Sequence, residues 1–133
     1  MSKNYITLEN TVHYHQVDQM GVMHHAQYLY ALEQARIEWL QNKGVSYGNL
    51  EKKGILLPVV DINIQYKKPL QFEEQYFIKI SLDQLGPYFV DFSYIIKNQQ
   101  KDCVATASTR LVFVDGQTRK AIKCPDFLIK IFH

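Results

Sequence analysis

The sequence predicts an α+β domain in which one long helix faces an antiparallel sheet. Three observations carry this reading. Tyr28, Leu29, Leu32, Ala35, Trp39 and Leu40 recur at helical spacing and form one apolar stripe. After Pro58 the pattern changes to period two and returns to it in several segments, each closed by a turn signal. A single helix covers only one face of such a sheet, and the other strand faces still carry Val, Tyr and Phe. A second copy of the chain is therefore expected to complete the burial.

Residues 6–17 read as a first strand, rich in β-branched and aromatic side chains but imperfect in alternation. An irregular loop over residues 18–23 leads into the helix, expected at about 26–43. No Ser, Thr, Asp or Asn stands at its cap, which His24, His25 and Ala26 occupy. Either free N–H groups there serve a ligand, or tertiary burial tolerates a poor cap. Gly44 suits the position just past the helix, and Lys43 suits the negative end of its dipole. Residues 44–54 are a connection with room for a short helical turn.

Over residues 59–67, Val60, Ile62, Ile64 and Tyr66 alternate with Asp61, Asn63 and Gln65, as in a strand with one buried face. Pro69 ends it. Residues 76–82 repeat the device, with Tyr76, Ile78, Ile80 and Leu82 on one face. Residues 83–87 are a turn by their Gly-Pro. Residues 88–96 form another aromatic-rich strand, and 98–102 another turn. Residues 103–114 make the longest strand, with Cys103, Ala105, Ala107, Thr109, Leu111 and Phe113 on one face. Asp115-Gly116 marks a turn, residues 121–124 a short return strand, and the apolar tail 127–132 is expected to pack.

Composition narrows the class. A chain of 133 residues, 47% apolar and 21% charged, suits one folded domain and not a disordered segment. Fifteen basic against thirteen acidic residues make no general case for nucleic acid. Cys103 and Cys124 are too few for a disulfide framework and lack metal-site spacing, so they read as free thiols in a reducing compartment. The start, Met-Ser-Lys-Asn-Tyr-Ile, lacks the apolar run of a signal peptide. No window approaches the roughly 18 apolar residues of a membrane span. A cytoplasmic location is expected.

The chemistry concentrates between Tyr14 and Arg36. Asp18 is followed by Gly21 and then by His24 and His25, at the expected start of a helix. A carboxylate attacks a carbonyl directly or deprotonates a water, and amides at a helix N-terminus stabilise the oxyanion that forms. The bland alternative is that Asp18 shapes its loop through an Asx turn. His25 suits proton handling near neutral pH. Tyr14 is either functional or simply packed. Gly21 suits φ > 0 or the close approach of a ligand. His13 and His15, on one strand face, raise a metal site with His24 and His25, but no Cys or acidic ligand accompanies them at metal spacing. Glu33 and Arg36 stand three apart and are expected to pair, worth roughly 0.2–0.5 kcal/mol if exposed.

Tyr14, Asp18, the run Gly21-Val22-Met23-His24-His25, Tyr28, Glu33, Ala35 and Arg36 together resemble the 4-hydroxybenzoyl-CoA thioesterase family. Within it they look most like the bacterial acyl-CoA thioesterases encoded beside the Tol-Pal envelope system. The other elements follow the family's order, so the resemblance spans nearly the whole chain. It implies a hotdog fold, an antiparallel sheet wrapped around one long central helix, that assembles as dimers and often as a homotetramer. It implies acyl-CoA thioester hydrolysis, with Asp18 as catalytic carboxylate and the His25 backbone amide polarising the carbonyl. His25 and Tyr14 would assist, and Gly21, Val22 and His24 are the candidate substrate-binding residues, although His24 also admits a structural reading.

No metal or bound cofactor is implied, because coenzyme A belongs to the substrate. Its phosphates call for basic groups, either Lys67 and Lys68 or Arg119, Lys120 and Lys123. One departure stands out: many relatives carry Gly-Asp after the strand-ending proline, where this chain has Phe72-Glu73-Glu74. The rival readings are a non-hydrolytic protein that binds acyl-CoA or acyl carrier protein, a hotdog dehydratase, and a metal-binding module.

Overall fold

The apolar stripe of the helix meets a five-stranded antiparallel sheet. The structure, a computed structural model, describes residues 4–132; Met1–Lys3, which carry part of the leader reading, lie outside it. Strands β1 (Tyr5–Thr11), β3 (Val59–Tyr66), β4 (Gln75–Leu85), β5 (Phe89–Asn98) and β6 (Cys103–Val112) are ordered β1-β4-β5-β6-β3. Two short strands, β2 (Ile55–Leu56) and β7 (Val114–Asp115), pair separately. Among the described residues three α-helices accompany them: α1 (Gln27–Asn42), α2 (Tyr47–Lys52) and α3 (Asp126–Phe132).

Helix α1 buries Tyr28, Ala31, Leu32, Ala35, Arg36, Trp39 and Leu40. Leu29, counted in the stripe, lies at its margin and is largely exposed. The helix stops where expected. Gly44 adopts φ 85°, and the amides of Gly44 and Val45 return to the carbonyls of Gln41 and Leu40, both at 2.9 Å. That pair of bonds satisfies carbonyls the helix would otherwise leave open. Trp39, fully buried, stacks on Phe132 at 5.7 Å and meets Phe92 edge-on at 5.1 Å. The apolar tail thus becomes α3, which seals the core. On the sheet, Tyr76, Ile78 and Ile80 of β4 and Ala105, Thr109 and Leu111 of β6 face inward as their alternation requires.

Several expectations are corrected. The first strand ends at Thr11, because the Val12 amide turns to the Glu74 carbonyl at 2.9 Å and a 3-10 turn follows at Tyr14–Gln16. His13 therefore precedes a turn and His15 lies within it, neither on a strand face, with their rings stacked at 5.7 Å. Strand β4 continues to Leu85 through an irregularity between Leu82 and Gln84, which shortens the expected turn. A Cβ on Gly86 would overlap the Phe89 ring. The return strand at 121–124 reduces to one bridge, Val114 with Ala121. Arg36 does not pair with Glu33. It turns inward, 5% exposed, and donates to the Tyr94 hydroxyl at 3.2 Å, while Glu33 stays in solvent.

Strand β3 departs most. A bulge between Val59 and Asp61 puts Val59 opposite Leu111, so Val60 drops out of the alternating row. Ile62, Ile64 and Tyr66 lie opposite Thr109, Ala107 and Ala105 on the helix-facing side, yet Ile62 and Tyr66 remain exposed. The strand is at the sheet edge, where α1 meets its Tyr66 end through Tyr28 and leaves Ile62 largely uncovered. Its period was legible; its burial within one chain is not realised.

Candidate active site

The loop before α1 is tied down at both ends. Val17 bridges Met23, and Val22 bridges Gln71. Inside it, the Asp18 amide donates to the Val22 carbonyl at 2.9 Å, and the Gly21 amide to the Asp18 carbonyl at 3.0 Å. Gly21 takes φ 79°, a region that suits a residue without Cβ. One oxygen of Asp18, Oδ1, accepts the Met20 amide at 2.8 Å and, more weakly, the Val22 amide at 3.5 Å. This is the Asx turn that the bland reading expected. The other oxygen, Oδ2, has no partner among the described residues. Asp18 thus holds its loop with one oxygen and keeps the second available in solvent.

The start of α1 has no side-chain cap, but its amides are not generally free. Those of Gln27, Tyr28 and Leu29 donate to the carbonyls of His24, His25 and Ala26, and the Ala26 amide donates to His24 Nδ1 at 3.1 Å. Upstream, the Met23 and His24 amides reach the carbonyls of Leu70 and Gln16. Among the described residues, only the His25 amide between Met20 and Leu29 lacks an acceptor. The expected array of free donors is one N–H. His24 caps the turn and stacks on His25 with ring centroids 4.1 Å apart, a structural role.

Asp18 and His25 line one open cleft of about 360 Å³, together with Tyr28, Tyr66, Lys67 and Lys68. Burial, reinforced by neighbouring Tyr66, pushes the Tyr28 hydroxyl up to about 12, so it stays protonated as a donor at neutral pH. Burial also raises the Tyr66 hydroxyl. Lys68 is held by Asp102 at 3.0 Å, and its hydrogen bond lowers the Asp102 carboxyl. Lys67 makes no ion pair among the described residues. Arg119 lines a different cleft, beside Tyr47 and Pro58.

Tyr14 is not among the lining residues of the Asp18 cleft; it is 76% exposed and meets Phe72 edge-on at 5.5 Å. The departure at Phe72-Glu73-Glu74 keeps a tight turn: Glu73 takes φ 71°, a conformation that glycine adopts more readily. Among the described residues no three His, Cys, Asp or Glu side chains group as metal ligands. Sequence reasoning placed Tyr66 only in a packing row. Its position next to Lys67-Lys68-Pro69, where a strand ends, was the one signal that it stands at a rim.

The model of the thioesterase-like superfamily matches residues 12–132. The chain is 36% identical over 115 residues to YneP of Bacillus subtilis, which carries the name of an acyl-CoA thioesterase, covering 86% of this chain and 83% of that protein. It is 30% identical over 132 residues to a 1,4-dihydroxy-2-naphthoyl-CoA hydrolase of Synechococcus, covering 94% and 87%. A crystal structure of DHNA-CoA thioesterase from Staphylococcus aureus superposes with a TM-score of 0.86 at 32% identity, over 90% of this chain and 80% of that one.

Proposed function

Because the chain belongs to the thioesterase-like superfamily, we propose that it hydrolyses an acyl-CoA thioester to the free acid and coenzyme A in the Asp18 cleft. The observation that carries this reading is that the two residues bearing a free carboxylate oxygen and a free amide, Asp18 and His25, line one cleft. Asp18 Oδ2 acts as nucleophile, or as the base that takes a proton from water. The thioester oxygen gathers negative charge as its carbon becomes tetrahedral, and the His25 N–H donates to it. The C–S bond then breaks and coenzyme A leaves as its thiolate. On the water route this step gives the free acid; on the nucleophile route it leaves an Asp18 anhydride that water hydrolyses to release the acid and restore the carboxylate. Tyr28 donates without taking a proton, and the His25 imidazole is placed to exchange one with solvent. Tyr14 has no step in this reading.

The finer likeness to the 4-hydroxybenzoyl-CoA and Tol-Pal-associated enzymes rests on the residue pattern at Tyr14, Asp18 and His25. Lys67 is the cation placed to meet a phosphate of coenzyme A, since Lys68 is already engaged. The hydrolysis as written uses no metal or bound cofactor. A coenzyme A substrate and two free thiols fit a cytoplasmic setting. Strand β3 supports self-association: its outer edge is unpaired among the described residues, and Val60, Ile62 and Tyr66 are 56%, 42% and 49% exposed. Such an edge invites a second copy.

The test is thiol release from a panel of aliphatic and aromatic acyl-CoAs, comparing wild type with Asp18→Asn. Asparagine keeps Oδ1, so the Met20 bond and the loop persist while the reactive carboxylate is gone. A fall in kcat of about 10²–10⁴-fold with unchanged Tm is expected. Near-normal turnover by the variant refutes the assignment. Thermal stabilisation of the wild type by the same esters without any turnover favours the non-hydrolytic binding protein.

A further inference from the structure

We propose that Tyr66 is a positioning residue for the oxyanion donor: its hydroxyl, donating to the His25 carbonyl at 2.9 Å, holds the turn that exposes the His25 amide. The proposal rests on the Asp18 reading above. It joins residues 41 apart in sequence, the end of the edge strand and the start of α1.

The peptide units on either side of His25 are each held by their carbonyl. The His24 carbonyl accepts the Gln27 amide at 2.9 Å, which fixes the plane that carries the free His25 N–H. The His25 carbonyl accepts the Tyr28 amide only at 3.3 Å, and Tyr66 supplies the shorter bond to it. Without Tyr66, the unit between His25 and Ala26 keeps one long bond and gains freedom to rotate. Rotation there changes the His25 ψ and Ala26 φ torsions, which set how the plane bearing the His25 N–H is oriented relative to α1 and the rest of the cleft. The Tyr66 ring is itself held, edge-on to buried Tyr28 at 5.0 Å and 83°.

The test substitutes Tyr66→Phe, which keeps the ring against Tyr28 and removes only the hydroxyl. On the best acyl-CoA of the panel, kcat is expected to fall about tenfold, with KM within about twofold and Tm unchanged. In a 15N-labelled sample the His25 amide resonance is expected to shift or broaden. Unchanged kcat, or a rise in KM alone, overturns the proposal; the latter would make Tyr66 a substrate contact. A parallel loss of Tm and kcat also overturns it, as the sign of a purely structural role. Asp18→Asn separates the two levels: if it abolishes turnover while Tyr66→Phe does not alter kcat, only the positioning role fails. If Asp18→Asn turns over normally, the Asp18 reading fails, and this proposal with it.

Discussion

Arg36 is the most exacting test of the core energetics. The residue is 5% exposed, its Nε has no partner, and no carboxylate lies within ion-pair distance of it among the described residues. Its charge is met by the hydroxyls of Tyr94, at 3.2 Å, and Tyr47. Tyr94 also shares a 2.7 Å hydrogen bond with Thr109 Oγ1. Burial raises both tyrosine hydroxyls, and the neighbouring guanidinium partly offsets it. Tyr94→Phe keeps the ring and opens almost no cavity, so its cost is polar. A buried cation loses its main acceptor and Thr109 loses its partner, which together cost about 3 kcal/mol. Unfolding entropy near 2.1 cal/mol/K per residue, over 133 residues, turns that into a Tm lower by roughly 10 °C. Arg36→Met removes the cation and leaves Tyr94 and Thr109 bonded to each other, so it is expected to fall within about 1 kcal/mol of wild type. The double variant then recovers about 1–2 kcal/mol over Tyr94→Phe alone. Urea titration followed by the single, fully buried Trp39 measures all four proteins. Tyr94→Phe costing under about 1 kcal/mol, or a double variant no more stable than Tyr94→Phe, refutes the account.

Two further outcomes are expected. If β3 pairs two copies, wild type sediments as a dimer or larger, and Ile62→Lys moves it toward monomer by at least tenfold in apparent Kd, of order 1.4 kcal/mol; a monomeric wild type ends that reading. The Asp115 carboxyl accepts the amides of Thr118 at 3.0 Å and Gln117 at 2.8 Å, which hold it below its ordinary 3.8. A depressed carboxylate stabilises the fold above its ordinary value and loses that contribution as pH falls through the folded one. Asp115→Ala should therefore lower Tm at pH 7, with the gap to wild type closing below pH 3.8; a gap that is constant down to pH 2 contradicts the cause given.

Much of the architecture was readable from near neighbours. The stripe through Leu32, Ala35 and Trp39, the stop at Gly44 and the inward rows of β4 and β6 follow from helical and strand periods, which depend on residues two to four apart. The motif from Asp18 to His25 was legible for the same reason: eight successive residues form one loop, and the Asx turn at its head is local chemistry. The stretch 6–17 is strand only to Thr11, although its β-branched and aromatic content suits strand throughout. The capture of the Val12 amide by Glu74, 62 residues on, ends the strand early.

What the sequence by itself determined is therefore the set of elements and the loop that bears Asp18. Tertiary structure alone decided that Arg36 points inward, that β3 stays uncovered within one chain, and that one amide remains free at the helix start. It alone brought the Tyr66 hydroxyl to the His25 carbonyl. Each of these depends on which distant segment arrives to bury or bond a group, and side-chain period carries no record of that arrival.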